Sequence, residues 1–339
     1  MAGTDEVFHG GDLDVAIARF GGRFEEWIDL STGINKSPYL YDTKEKNFLN
    51  NLPSKTQLTE LLTTARRYCG CRDSASVTAA PGTQALIQTL PRLRGSSEVA
   101  ILGPTYGEHA ASWERCGHSI REVASLSEVG PADVVVLVNP NNPDGRLYAP
   151  ELLLDLRDDL SARGGWLVVD EAFIDLCPHV SLCGSKAVEN LILLRSFGKF
   201  FGLAGLRLGF AVGDPTIVSA LAAELGPWAV SGPAIEVGIE AMGDRDWIEA
   251  TLATLKQHRL KMDALLEGAG FELLGGTDLY RFVGHGDALA RADELAAERV
   301  HVRRFPDRPD RLRFGIPATE AEFEQLEIAF VACGWTEAG

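Results

Sequence analysis

Five short apolar runs, each breaking at once into a polar or glycine-rich loop, constrain the fold of this 339-residue chain more than any other feature. They are EVAILGPTYG, DVVVLVNPNNPDG, GGWLVVDEAF, NLILLRSFGK and RLGFAVGD. Short and almost wholly apolar, they read as buried strands. The amphipathic stretches TQALIQTLPRL, GEHAASWERCG and APELLLDLRDDLSARG separate several of them and read as helical crossovers. Buried strands joined by helices imply an α/β chain on a mostly parallel sheet. Ligands of such sheets bind beyond the carboxyl ends of the strands, where each polar cluster discussed below falls. After about residue 226 the texture changes. A helical stretch from PWAVSGPAIEVGIEAM and the long amphipathic DWIEATLATLKQHRLKMDALLEGAG precede the short strands FELLGGTDLYRFV, VHVRRF and RLRFGIP. A final helix, TEAEFEQLEIAFVACG, follows, so a smaller α+β domain is expected over 226–339. Residues 36–57 are polar and irregular and read as a surface loop.

With 45% hydrophobic residues the chain can bury a large core. Its formal charge of −16 argues against nucleic acid or an anionic membrane as partner, since both reward clustered Lys and Arg. No apolar run reaches the roughly 18 residues of a membrane span. The acidic opening MAGTDEVFHGGDLD carries no secretory signal, so a cytoplasmic protein is expected. The six cysteines (Cys69, Cys71, Cys116, Cys177, Cys183 and Cys333) show neither a CxxC pair nor a Cys/His spacing. They read as reduced, mostly buried thiols, and no metal is expected.

The segment RSFGKFFGLAGLRLGF carries the strongest chemical signal. Lys199 is its one basic residue between Arg195 and Arg207, amid apolar residues and glycines. Such surroundings disfavour a charged amine and suit a nucleophile able to form a Schiff base with an aldehyde. In PGTQAL, Gly82, Thr83 and Gln84 open a helix that is either a phosphate cup or an ordinary capped start. Tyr106 of GPTYG follows a strand and could stack on a planar ring or belong to the core rim. Asn142 of NPNNPDG offers an amide to a ligand oxygen, or simply serves a turn. Asp170 ends the strand of VVDEAFID, where an unpaired carboxylate is costly. It suits a protonated pyridine nitrogen, an N-cap or a salt bridge. Arg313 of RLRFGIP could clamp a substrate carboxylate, with Arg303 and Arg311 as competitors.

Ser196, Lys199 and Arg207 together resemble the lysine segment of fold-type I pyridoxal-phosphate enzymes. The order of phosphate cup, aromatic, Asn, Asp, Ser-x-x-Lys, Arg and late Arg is similar to the class I/II aminotransferase superfamily across essentially the whole chain. Within it the chain most resembles the cobalamin-pathway L-threonine-O-3-phosphate decarboxylases. FHGGDLDVAIARFG, WIDLSTGIN, AAPGTQALIQTLPRL, GPTYGEH, NPNNPDGR, LRSFGKFFGLAGLRLGF, GPWAVSGPA and FPDRPDRLRFGIP carry that resemblance.

The resemblance implies a fold-type I transferase with a seven-stranded sheet between helices. It divides the chain into an N-terminal arm (1–35) over the site, a large cofactor domain (36–225) and a small domain (226–339). It also implies a pyridoxal 5'-phosphate cofactor, a phosphorylated amino-acid substrate and a homodimer. By the same resemblance Lys199 carries the cofactor, Asp170 pairs with the pyridine nitrogen, Tyr106 stacks on the ring and Asn142 meets the ring oxygen. Gly82, Thr83, Ser196 and Arg207 hold the phosphate, with Gln84 nearby. Arg313, with Asn142, His9, Gly10 and Asn35, is expected on the substrate side. The implied reaction is decarboxylation of L-threonine O-3-phosphate, with a histidinol-phosphate-type or other aminotransferase as the alternative. Two departures stand out: Phe173 occupies a position where many relatives have tyrosine, and NNLPSK, with Leu52, replaces a tyrosine-proline-aspartate segment that reaches the neighbouring subunit.

Overall fold

The computed structural model describes residues 10–41 and 49–337. The chain clusters into two compact units, one of residues 38–142 and 146–248, the other of residues 1–37, 143–145 and 249–339. Twelve strands among the described residues form two sheets: β1 (Ile28–Leu30), β2 (Ser76–Ala80), β3 (Glu98–Leu102), β4 (Ser119–Val123), β5 (Val134–Val138), β6 (Trp166–Asp170), β7 (Leu191–Ser196), β8 (Gly209–Gly213), β9 (Glu272–Thr277), β10 (Tyr280–Gly284), β11 (Val300–Arg304) and β12 (Arg311–Gly315).

The larger unit carries the seven-stranded sheet, in the order β2-β8-β7-β6-β5-β3-β4. From β7 to β4 every pairing is parallel, and β8 runs antiparallel to both β7 and β2. Each of the five apolar runs becomes a strand (β3, β5, β6, β7 and β8). β5, VVVLV, is buried along its whole length, as a strand covered on both faces must be. Alternating side chains feed two cores. Leu167, Val169, Leu191 and Leu193 belong to one, and Val168, Ile192 and Leu194 to the other. The helices Thr83–Thr89, Glu108–Arg115 and Pro150–Ser161 occupy the predicted crossovers.

The helix Gly232–Gly243, read from sequence as the start of the small domain, clusters with the large unit. It packs on the helix Lys55–Cys69 so closely that a Cβ on Gly238 would lie 3.1 Å from Leu61 Cδ1. Gln57 Nε2 also donates to Glu236 Oε1 (3.1 Å). The smaller unit holds a five-stranded sheet, β1-β11-β12-β10-β9, whose only parallel pairing is β1 with β11. Ile28 and Leu30 bury in its core beside Val300, Val302, Leu312 and Phe314. The described part of the first 35 residues is thus a strand and a helix (Leu13–Phe20) of this unit. Among the described residues no helix is long and apolar enough to cross a membrane.

Candidate active site

Strand register gathers the singled-out residues of the large unit at one sheet edge. Ala80 pairs with Gly209, and Gly209 with Ser196. Asp170 pairs with Leu194 on one side and Val138 on the other. The carboxyl ends of β2, β5, β6 and β7 and the start of β8 therefore line up. The segments bearing Gly82, Asn142, Lys199 and Arg207 leave from that edge.

Gly82 has φ +82°, and a Cβ there would lie 2.5 Å from Arg207 Nη2. A Cβ on Gly209 would come within 2.6 Å of the Thr83 amide nitrogen. Glycine is therefore required where the guanidinium crosses the backbone. Arg207 itself takes a left-handed conformation (φ 54°), and its Nη1 donates to Ala204 O (2.9 Å). The Thr83 amide that opens the helix Thr83–Thr89 and this guanidinium are the kinds of donor a phosphate takes, and Ser196 is the register partner of Gly209 beside them. Lys199 lies in the short helix Phe197–Phe200 after β7, half-buried, its Nζ 5.9 Å from the centroid of the Phe173 ring. Phe173 is itself buried.

Asp170, only 4% exposed, has both carboxylate oxygens engaged. The Ala172 N–H donates to Oδ1 (3.0 Å), and His109 Nε2 lies 3.0 Å from Oδ2. Sequence reasoning missed His109. Its one mark in the sequence is its place in the stretch GPTYGEH; the structure buries it on the helix Glu108–Arg115 beside Glu108, Ser112 and Trp113. Tyr106 stands edge-on to His109, with centroids 6.1 Å apart. Its hydroxyl donates to Gln84 Oε1 (3.2 Å), and Gln84 Nε2 donates to Glu108 Oε2 (2.6 Å). Gln84 thus links Tyr106 to Glu108. In the loop after β5, Asn139 exchanges two hydrogen bonds with the Tyr148 backbone. Asn141 accepts from Thr105 Oγ1 (2.7 Å) and donates to Pro104 O (2.9 Å). These two asparagines pin the loop that presents the half-buried Asn142.

The next side chain along, Glu171, turns to the opposite face. It is fully buried, accepts from Ser181 Oγ (2.7 Å) and the Leu182 N–H (2.8 Å), and meets Arg195 at 3.5 Å. Arg195 Nη2 also donates to Asp175 Oδ1 (2.5 Å), which in turn accepts from Tyr68 (2.9 Å). Burial, opposed by Arg195, leaves the Glu171 carboxyl above its usual range.

In the small unit Arg313 is buried, and its Nη2 donates to Ser31 O (2.8 Å). Its guanidinium carbon lies 5.1 Å from the Tyr280 ring centroid. Burial lowers its pKa against the opposing pull of Tyr280 and Asp29, yet arginine stays charged. Of its competitors, Arg303 is its cross-strand neighbour, and Arg311 pairs with Asp310 at 2.7 Å. Gly10 presses on Ser31, whose carbonyl oxygen would lie 2.4 Å from a Cβ there, and the Gly11 N–H donates to Ser31 Oγ (2.7 Å). Gly10 and Arg313 thus share one partner residue. Asn35 is buried, and its Oδ1 accepts from the Ser37 N–H (2.9 Å). His9 lies outside the described residues.

The sequence profile of the aminotransferase class I and II family matches residues 26–328. The chain is 42% identical over 327 residues to a threonine-phosphate decarboxylase of Sinorhizobium sp, covering 95% of this chain and 97% of that protein. It is 40% identical, with the same coverage, to a threonine-phosphate decarboxylase of Pseudomonas aeruginosa. Identity to a histidinol-phosphate aminotransferase of Aeromonas salmonicida is 28%, over 86% of each protein. Among solved structures, histidinol-phosphate aminotransferase from Clostridium acetobutylicum superposes with a TM-score of 0.77 at 21% identity, covering 90% of this chain and 99% of that one. The enzyme of the same name from Sinorhizobium meliloti, solved in complex with pyridoxal-5'-phosphate, gives 0.76 at 20%, covering 95% and 94%.

Proposed function

The chain belongs to the aminotransferase class I and II family, and on that premise we propose that it is a pyridoxal-phosphate-dependent decarboxylase of L-threonine O-3-phosphate. The product is (R)-1-amino-2-propanol O-2-phosphate, a step of cobalamin biosynthesis. The observation that carries this over transamination is the gap between 42% identity to a threonine-phosphate decarboxylase and 28% to a histidinol-phosphate aminotransferase. The glycine-cradled Arg207 and the strand-end carboxylate of Asp170 fit the cofactor's two ends.

Gly82, Thr83, Ser196 and Arg207 hold the cofactor phosphate, and Lys199 supplies the amine that anchors its aldehyde. Asp170 keeps the ring nitrogen protonated, Tyr106 covers the ring and Asn142 meets its oxygen. When bound there, the cofactor would supply an electron sink for the pair left at Cα when carbon dioxide is lost. Lys199 Nζ, once the substrate amine has taken its place on the aldehyde, would carry the proton that Cα needs. Arg313 is assigned to the substrate carboxylate, with His9, Gly10 and Asn35 toward the substrate. Gripping a carboxylate that is about to lose its charge stabilises the ground state, so Arg313 serves mainly to orient the scissile bond.

The enzyme works as a cytoplasmic homodimer. Exposed Leu40, Leu49, Leu52 and Leu58, close in sequence, support a subunit contact there, which sedimentation of the wild type and Leu52→Glu tests. The reaction is tested by incubating the holoenzyme with O-phospho-L-threonine and no keto acid. Carbon dioxide and aminopropanol phosphate are expected. Their absence, alongside robust amino transfer to 2-oxoglutarate, would overturn the reading.

A further inference from the structure

On the sheet face turned away from Asp170, three cysteines distant in sequence converge. Cys69 ends the helix Lys55–Cys69, Gly70 follows in a left-handed turn (φ 67°), and Cys71 starts the return. Cys183 comes from the turn Leu182–Gly184. The three sulfur atoms all lie within 4.8 Å of one another. Several bonds hold the two segments together independently of the thiols. Arg72 Nε donates to Gly184 O (3.1 Å) and Ser74 Oγ to Lys186 O (3.3 Å). The Cys183 N–H is held by Ser181 Oγ (3.2 Å), and its sulfur lies 3.5 Å from Arg195 Nη1.

We propose that Cys69, Cys71 and Cys183 form a binding site for one thiophilic cation. Metal–sulfur bonds of about 2.3 Å place thiolate sulfurs roughly 3.8–4.0 Å apart, so the trio needs to close by under about 1 Å. An all-sulfur ligand set selects soft ions such as Zn²⁺, Cd²⁺ or Cu⁺ and rejects Mg²⁺ and Ca²⁺. Three protein ligands suit a trigonal ion, or a tetrahedral one with a single open position. Each ligating sulfur exchanges its S–H bond for a metal bond and releases the proton to solvent, so binding tightens as pH rises. Two kinds of charged group face the Cys183 sulfur: the buried Arg195 guanidinium at 3.5 Å, which Glu171 and Asp175 already share, and Glu171 Oε2 at 3.7 Å, whose contact with the S–H is given up on ligation. A disulfide would use two of the three thiols and leave the third without a role.

The test is titration of the reduced, anaerobic holoenzyme with Cd²⁺ alone, followed by the ultraviolet sulfur-to-cadmium charge-transfer band. One saturating equivalent is expected. Cys183→Ser and, separately, the half-buried Cys71→Ser should each weaken binding by at least about tenfold, with native circular dichroism and cofactor absorbance retained. Cys116→Ser removes an exposed thiol outside the trio and should leave the titration unchanged. The proposal is overturned if no saturable band forms. It is equally overturned if the band survives both trio substitutions, or if thiol counting of the untreated enzyme finds a disulfide within the trio.

Discussion

Asp170 and Glu171 are consecutive carboxylates at the end of one strand, yet they face different chemical surroundings. Asp170 lies on the face of Val168, Ile192 and Leu194, where its partners are a histidine ring and a backbone amide. Glu171 lies on the face of Val169 and Leu193, where a guanidinium, a hydroxyl and an amide surround it. The same division runs along β7, where Arg195 joins the ion network and Ser196 falls on the face of Leu194. The two-residue period of a strand sends a single pair of neighbours into two separate environments. The difference teaches that burial alone does not mark a catalytic carboxylate. What sets Asp170 apart is that its partners are a histidine ring and an amide, whereas Glu171 faces a guanidinium.

Removing the reacting amine should give the largest effect on the Asp170 face. Lys199→Ala should lower kcat by about 10³-fold or more while leaving the thermal midpoint nearly unchanged. On the other face, Arg195→Met should cost about 3–5 kcal/mol of stability, because it strands the buried carboxylates of Glu171 and Asp175, whereas Glu171→Ala leaves Arg195 its Asp175 partner and should cost less. Denaturant unfolding checks this, and the comparison breaks if either variant keeps wild-type stability but loses turnover. Asp170→Asn should show the converse, a fall in kcat of about tenfold to a thousandfold with a smaller stability change. His109→Phe should follow with about a tenfold to hundredfold loss of kcat, the value of one hydrogen bond to a charged group. A visible-band titration of the bound cofactor should register both substitutions, which simple destabilisation would not produce.

The sequence revealed the middle of each sheet better than its edges. β3, β5, β6, β7 and β8 were legible because strands covered on both faces must be continuously apolar. The overlooked strands β1, β2 and β4 are all terminal in their sheets. SVTAA and SIREV carry the polar residues an edge tolerates, and so resemble loop. The helix Lys55–Cys69 was obscured likewise, since it fully buries only Leu61 and Ala65. Its reciprocal Ser54–Gln57 capping box was the available sign. Strand ends and glycine turns were readable from local motifs, and the register brings the segments bearing Gly82, Asn142, Lys199 and Arg207 to one edge. His109 and the thiol trio were not readable, because their partners come from distant segments that only the fold assembles.

Tyr39 shows a third way of burying a polar group, and it sharpens the contrast by the smallest measurable effect. Its hydroxyl donates toward Asp244 Oδ2 (3.3 Å) and Glu240 Oε1 (3.4 Å), while its ring stands edge-on to Trp247. Burial first, and then the two neighbouring negative charges, push its pKa up to about 12. Glu171 is compensated by charge, whereas this phenol survives by staying neutral. Because the folded pKa exceeds the unfolded value near 10, the protonated phenol contributes stability fully below that value. The contribution fades as pH rises through about 12. Unfolding free energies of wild type and Tyr39→Phe, measured at about pH 9 and about pH 11.5, should therefore converge at the higher pH. An unchanged gap would mean that ionising Tyr39 costs the fold nothing, and that the two carboxylates beside it are solvated rather than felt.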